Sequence, residues 1–361
     1  MLYVVEVISR IADVAVQAFL KAFIRPGGEL FVLVLAPQAA ILVAVRYAQR
    51  RTGAVVWPRL FPRSALTRRS NGIDISLSIF EYGAPLVAGI LLFAPVARAV
   101  RRVLPEPAIG ADVFDSNQVL ATAFATLATL AAVDFGSFLS HWLLHRVPVL
   151  WAFHAVHHSA PEMTPFTATR VHPVETVLNR VFSTAFAGVV LGVWTAMVQP
   201  VLSVQTILGT HAAFLLFQFS FAAVRHSSIP ISFGPLEHIF VSPRMHQLHH
   251  SNNPAHNDRN FGTMLSIWDA MFGRRLRTFP PDGVRFGVAG VNGDSFHETI
   301  LSPFTVAAKS AGALVSSGRP RSFSKASTDG LCTGQQVVTS ATAESLAVYE
   351  LVSASPGDDR R

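Results

Sequence analysis

The stretch VFSTAFAGVVLGVWTAMVQPVLSVQTILGTHAAFLLFQFSFAAV, residues 181–224, contains no Asp, Glu, Lys or Arg. It is too long for one membrane crossing, which needs about 20 residues, and suits two. Gln199-Pro200 sits near its middle, where proline, lacking a backbone N–H, breaks a helix. The stretch predicts a helical hairpin in a bilayer, with spans near 181–199 and 202–224. A buried pair of soluble helices is the competing reading, and the whole-chain composition argues against it. Of 361 residues, 50% are hydrophobic and 14% are charged, whereas soluble domains carry about 25% charged residues.

Three more apolar runs precede the hairpin. LFVLVLAPQAAILVAV at 30–45 predicts a span near 28–45. YGAPLVAGILLFAPVA at 82–97, closed by Arg98, predicts one near 78–97, and SNQVLATAFATLATLAAV at 116–133 predicts one near 116–140. The chain starts differently. In residues 1–27, Glu6, Arg10, Asp13 and Lys21 interrupt any signal-peptide core, and the pattern reads as an amphipathic helix lying on the membrane surface. Residues 303–361 are rich in Ser, Ala, Thr and Gly without sustained apolar periodicity, so a low-complexity, disordered tail is expected there. Residues 28–302 are left as one membrane-embedded domain of an all-α, integral membrane helical bundle.

Arginine sets the orientation. Residues 46–77 hold seven arginines and residues 98–115 hold three, which places the former on the cytoplasmic side of a multi-pass protein. Threading the spans in order then brings residues 141–158, 226 and 246–256 out on that same face. The formal charge of +7 belongs to loops and lipid headgroups in such a protein, not to nucleic acid. Cys332 is the only cysteine, which excludes intrachain disulfides and thiolate metal sites.

The cytoplasmic residues include a near-repeat, HAVHHSA at 154–160 and HQLHHSN at 246–252. Each carries histidines at i, i+3 and i+4, so the first can pair with either later one on a helix face. The adjacent two diverge by about 100° and can feed different metal ions. With His141 and His145, one turn apart at the end of the third span, the groups comprise His141, His145, His154, His157, His158, His246, His249 and His250. Eight imidazoles offer four ligands to each of two metals, and His226, just after the hairpin, is a ninth candidate. Together they predict a histidine-rich di-metal cap on the cytoplasmic face. Asp134, two turns before His141, and Asp258 are candidate acceptors for the outer N–H of ligand histidines, and His172 is close enough to the second cluster to support it. Glu175 and Glu237 are as well suited to binding arginines. His211, His238, His256 and His297 read as packed or loop residues or, for His238 and His256, peripheral ligands.

These residues resemble the fatty acid hydroxylase superfamily, which includes the sterol desaturases. The likeness runs from DFGSFLSHWLLHRVPVLWAFHAVHHSAPEMTPFTATRVHPVE (134–175) to VRHSSIPISFGPLEHIFVSPRMHQLHHSNNPAHNDRNFGTMLSIWDAMFG (224–273) and rests on HxxxH, HxxHH and HxxHH in that order. It implies that the eight histidines, with His226 next, bind two iron ions that use O2 as co-substrate. It further implies a lipid substrate and a separate electron donor of cytochrome, ferredoxin or reductase type. Two positions depart from the common pattern: His141-Trp142 where many members have His-Arg, and Gly273-Arg274 where many have Gly-Thr. Neither involves an expected ligand, so they bear on substrate fit.

The expected activity is O2-dependent hydroxylation or desaturation of an unactivated C–H bond in a sterol, fatty acyl chain or related lipid. Such a bond has no acidic proton or leaving group, so the oxidising metal centre must supply the chemistry. A membrane zinc-dependent hydrolase is the alternative, zinc being able to occupy imidazole sites in purified protein. A metal transporter is a further one, although it would spread histidines along the spans. The Arg- and Ala-rich composition favours a bacterial inner membrane over endoplasmic reticulum.

Overall fold

The computed structural model describes residues 72–74, 76, 77, 92, 94–104, 118–197, 224–278, 280, 283–288, 291 and 295–317. The expected surface helix 1–27, the span near 28–45, most of the span near 78–97 and nearly all of the span near 202–224 lie outside them. The described residues are helical, with two isolated β-bridges and no strand. Helices are numbered α1 (Ala94–Val103), α2 (Gln118–Arg146), α3 (Pro148–His158), α4 (Pro173–Met197), α5 (Pro243–His250), α6 (Ile267–Met271) and α7 (Phe296–Ser317).

Among the described residues, two helices are long and apolar enough to cross a membrane, over Phe124–Arg146 and Pro173–Ala196. They run antiparallel, as Phe124 stacks near Trp194 at one end while Ser137 and Ser183 share a 2.9 Å hydrogen bond nearer the other. Gly136 makes the closest approach. A Cβ there would lie 2.7 Å from both the Phe182 carbonyl oxygen and Ser183 Cα, so glycine is what lets the backbones meet, as small residues do between membrane helices. Val133, Ala187 and Leu191 fill the seam beyond it. Phe124, Leu127 and Val177 point outward and are more than half exposed, an apolar surface of the kind lipid covers.

Proline sets the breaks. Val147 precedes Pro148 and is extended (φ −100°, ψ 113°), as the proline ring requires of its predecessor. The chain therefore turns between α2 and α3 directly after His145. Pro243 begins α5 in the same way, with the Ser242 hydroxyl accepting from the Met245 N–H at 3.3 Å as N-cap.

Two boundaries differ from expectation. Helix α1 continues past Arg98 to Val103. It packs on the far end of α4, where Gly192 makes room for Ala97 and Val100 and the Arg101 side chain donates to the Thr195 carbonyl. Pro105 follows, so the helix stops there rather than at the first charge. The second difference is α7, which is helical to Ser317 although a disordered tail was expected from 303. Ala307 packs with Ala152 and Phe153 of α3, and the Phe304 ring lies 5.1 Å from Phe153. Residues 318–361 lie outside the described residues.

Candidate metal centre

Four pieces of chain converge at the end of α2. Helix α2 brings His141 and His145, α3 brings His154, His157 and His158, the turn after Val224 brings His226, and α5 brings His246, His249 and His250. Their ligand-capable nitrogens form two groups, His141, His145, His154, His158 and His249, and His157, His226, His246 and His250. Within each group all ligand atoms lie within 4.8 Å of one another. The division is reciprocal. Each HxxHH gives its i, i+4 pair to one group and its i+3 histidine to the other, so His157 leaves α3's own group and His249 leaves α5's. Divergence of adjacent histidines was foreseen; five and four, with His226 completing the smaller group, was not. The groups adjoin, with the His158 and His250 rings stacked 4.4 Å apart.

The outer nitrogens are fixed by acceptors. Nδ1 of His141 donates to the Phe261 carbonyl at 2.8 Å, His157 to the Arg170 carbonyl at 3.1 Å, His249 to the Arg259 carbonyl at 2.8 Å, and His154 to Glu175 Oε1 at 2.8 Å. A carbonyl or carboxylate oxygen can only accept, so Nδ1 carries the proton and a neutral ring presents a bare Nε2 inward. Yet Nε2 of His154 lies 3.1 Å from Nε2 of both His141 and His158, and Nε2 of His226 lies 3.3 and 3.0 Å from those of His157 and His246. Facing lone pairs repel unless a cation sits among them. Donors about 2.1 Å from a shared metal and at right angles would be about 3 Å apart, so these separations fit a bound ion.

Burial keeps the rings neutral. It pushes His157 down to about 3, against opposition from the Glu175 charge and with help from His154 and His141. Burial, followed by neighbouring rings, also holds His246 and His250 well below the usual histidine range. Neutral imidazole is the metal-binding form.

Asp258, expected to accept from a histidine, stands 3.9 Å from His145 Nδ1, beyond hydrogen-bond reach, and 3.5 Å from Arg146. Asp134 does not accept from a histidine. Its carboxylate is fully buried and takes the Met264 and Leu265 N–H groups at 2.8 and 2.9 Å and the Trp268 indole N–H at 2.9 Å. Two turns along α2 is the right face for His141, but the loop after α5 and the start of α6 supply the donors there. Asp134 and Asp269, which takes the Phe261 and Gly262 N–H groups, hold the loop whose Phe261 carbonyl orients His141. His172 belongs to neither group; Nε2 donates to the Ile300 carbonyl and Nδ1 accepts from Val174 N–H, each at 3.1 Å, tying α7 to the start of α4. His238 pairs with Arg277 and His256 with Ser251, and His211 lies outside the described residues.

Arg170 was missed, and Glu175, read as equally suited to an arginine, stands beside a histidine. Pro173 opens α4 and places Glu175 in its first turn, beside His154; the only signal was its position in HPVE. Glu237, its counterpart in the sequence reading, does bind arginines, Arg244 at 3.1 Å and Arg277 at 3.3 Å. Arg170 is buried in a two-point ion pair with Asp74 (2.7 and 3.4 Å), which fixes the carbonyl that His157 uses.

The family described as fatty acid hydroxylase matches residues 126–274, from α2 to just past α6 and including all nine histidines. The ornithine lipid hydroxylase of Rhizobium tropici is 30% identical over 254 residues, 69% of this chain and 72% of that protein. Alkylglycerol monooxygenases of Xenopus tropicalis and Homo sapiens are 34% and 31% identical over 156 and 142 residues. Those stretches are 43% and 39% of this chain and 30% and 28% of theirs, so the chain spans less than a third of these monooxygenases. No solved structure matches it.

Proposed function

Because the chain belongs to the fatty acid hydroxylase superfamily, we propose that it is a membrane-bound di-iron oxidoreductase that uses O2 to hydroxylate a C–H bond of a lipid. The observation that carries this is the convergence of nine imidazoles into two adjoining groups with inward nitrogens at metal-sharing distances. One iron falls to His141, His145, His154, His158 and His249, the other to His157, His226, His246 and His250. Hydroxylation is favoured over desaturation because the relatives are named hydroxylase and monooxygenase. The ornithine lipid hydroxylase makes a membrane lipid with a polar head the first substrate class to try.

Bound iron would supply the O2-dependent oxidation that side-chain acid–base chemistry cannot reach. The protein's part is positional. The Phe261, Arg170 and Arg259 carbonyls and the Glu175 carboxylate hold four Nδ1–H groups and so aim four Nε2 lone pairs. Glu175 also places a negative charge beside the first group, offsetting metal charge in a buried site. Burial of His154, His157, His158, His246, His249 and His250 keeps water away from the reacting region. The reading includes a catalytic unit over residues 28–302, histidines on the cytoplasmic face of a multi-pass protein in a bacterial inner membrane, and a separate one-electron donor.

The test is iron content and hydroxylated lipid formed by the purified chain in bilayer discs with O2 and reductant. The wild-type protein is expected to hold two irons per chain. His249→Ala and His157→Ala, one from each group, are each expected to lose iron and all product. Full product formation by either variant, or stoichiometric zinc with no O2 consumption, would overturn the proposal.

A further inference from the structure

Helix α7 presents three different faces. At about 100° per residue, Thr299, Pro303, Ala307 and Ser310 share one side, and all four are buried. Glu298, Ser302, Thr305 and Lys309 form an exposed polar stripe about 125° round the helix from it in one direction. About as far round in the other direction lie Leu301, Phe304 and Ala308, which are also exposed, with exposed His297 above them in the helix's first turn; Leu301 is 46% and Phe304 49% accessible. Val306 borders the buried side on the other flank. A helix packed between protein and water needs two faces. The third is apolar and open, and it calls for a third medium.

The surroundings say which. His172 donates to the Ile300 carbonyl at 3.1 Å, and its ring lies 5.5 Å from that of Phe304. His172 immediately precedes Pro173, where the membrane-length helix α4 begins. The apolar flank of α7 thus lies beside the start of α4, whose following turns expose Val177 and Val181.

We propose that α7 is an interfacial membrane helix. Leu301, Phe304 and Ala308 sit among lipid acyl chains just beneath the headgroups, while Glu298, Ser302, Thr305 and Lys309 face water. Its buried side rests on α3, the helix of His154, His157 and His158, so the membrane surface comes up to the back of a metal-binding helix. The inference needs only that α4 spans a bilayer and not that the site binds iron.

An environment-sensitive fluorophore on single cysteines tests it, in the full chain in lipid vesicles with Cys332→Ser as background. Probes at Leu301→Cys and Ala308→Cys are expected to be quenched severalfold more by lipids nitroxide-labelled near the carbonyl end of the acyl chain than by aqueous iodide. A probe at Thr305→Cys is expected to show the reverse, and one at Val181→Cys to report lipid throughout. Ala308→Cys changes little volume at an exposed position, so its result stands if Leu301→Cys folds poorly. Iodide access at 301 and 308 overturns the inference, as does shielding from both quenchers, which would mean that protein covers the flank. If Val181 reports lipid while these do not, only α7's placement falls; if Val181 also reports water, the membrane reading falls with it.

Discussion

Replacing Glu175 by glutamine removes one charge from the site and almost no volume. Glu175 Oε1 accepts the His154 Nδ1–H at 2.8 Å, with both side chains shielded from solvent. The amide oxygen of a glutamine in that place can still accept the proton, so the ring keeps its direction and the loss is electrostatic. Removing a carboxylate behind a ligand histidine weakens metal binding by about 10–100-fold, or about 1.4–2.7 kcal/mol. His154 belongs to the five-histidine group, so the loss should fall mostly there, with a smaller effect on the other through the Glu175 charge felt by His157. Chelator titration of the loaded protein, followed by metal release, resolves the two. The expected result is a biphasic curve in which one equivalent leaves at about 10–100-fold lower chelator concentration and the other shifts much less. Equal shifts in both phases, or none, would refute the assignment of Glu175 to one group.

Asp134→Ala orphans the Met264 and Leu265 N–H groups and the Trp268 indole N–H. A cost of about 3 kcal/mol or more is expected, seen as a lower melting temperature and earlier proteolysis within 261–269; unchanged melting counts against the clamp. Gly136→Leu should force α2 and α4 apart, since even a Cβ would lie 2.7 Å from the Phe182 carbonyl oxygen. About 1–3 kcal/mol of destabilisation, read by thermal unfolding in detergent, is expected, and a neutral result would show that the helices do not approach so closely. The metal-free protein should lose stability on acidification. His157 is held near 3 against an ordinary 6.5, so the unfolded chain takes up more protons between these values and stability falls as pH drops from about 6.5 toward 3. Flat melting temperatures from pH 7 to 4 would contradict neutral buried rings.

The sequence made the residues of the site readable because their types and spacings are local. A charge-free stretch long enough for two crossings, and histidines at i, i+3 and i+4, are properties of consecutive residues. Apolar length therefore implies candidate membrane helices, and helix geometry implies that adjacent histidines diverge. The α7 boundary failed for a related reason. Its buried side is Thr299, Pro303, Ala307 and Ser310, residues chosen for small size at a close contact rather than for hydropathy, so an apolar-periodicity reading passes over it.

How the histidines group was decided only in three dimensions. Whether His157 joins His154 or His226, and whether Asp134 serves a histidine or a loop, depends on segments far apart in the chain being brought together. Glu175 and Glu237 are chemically identical, and sequence gives each the same claim on an arginine. One stands beside a ring Nδ1–H because α4 packs against α3, the other between two guanidinium groups because Arg244 of α5 and Arg277 close on it, and that difference does not lie in the residues themselves.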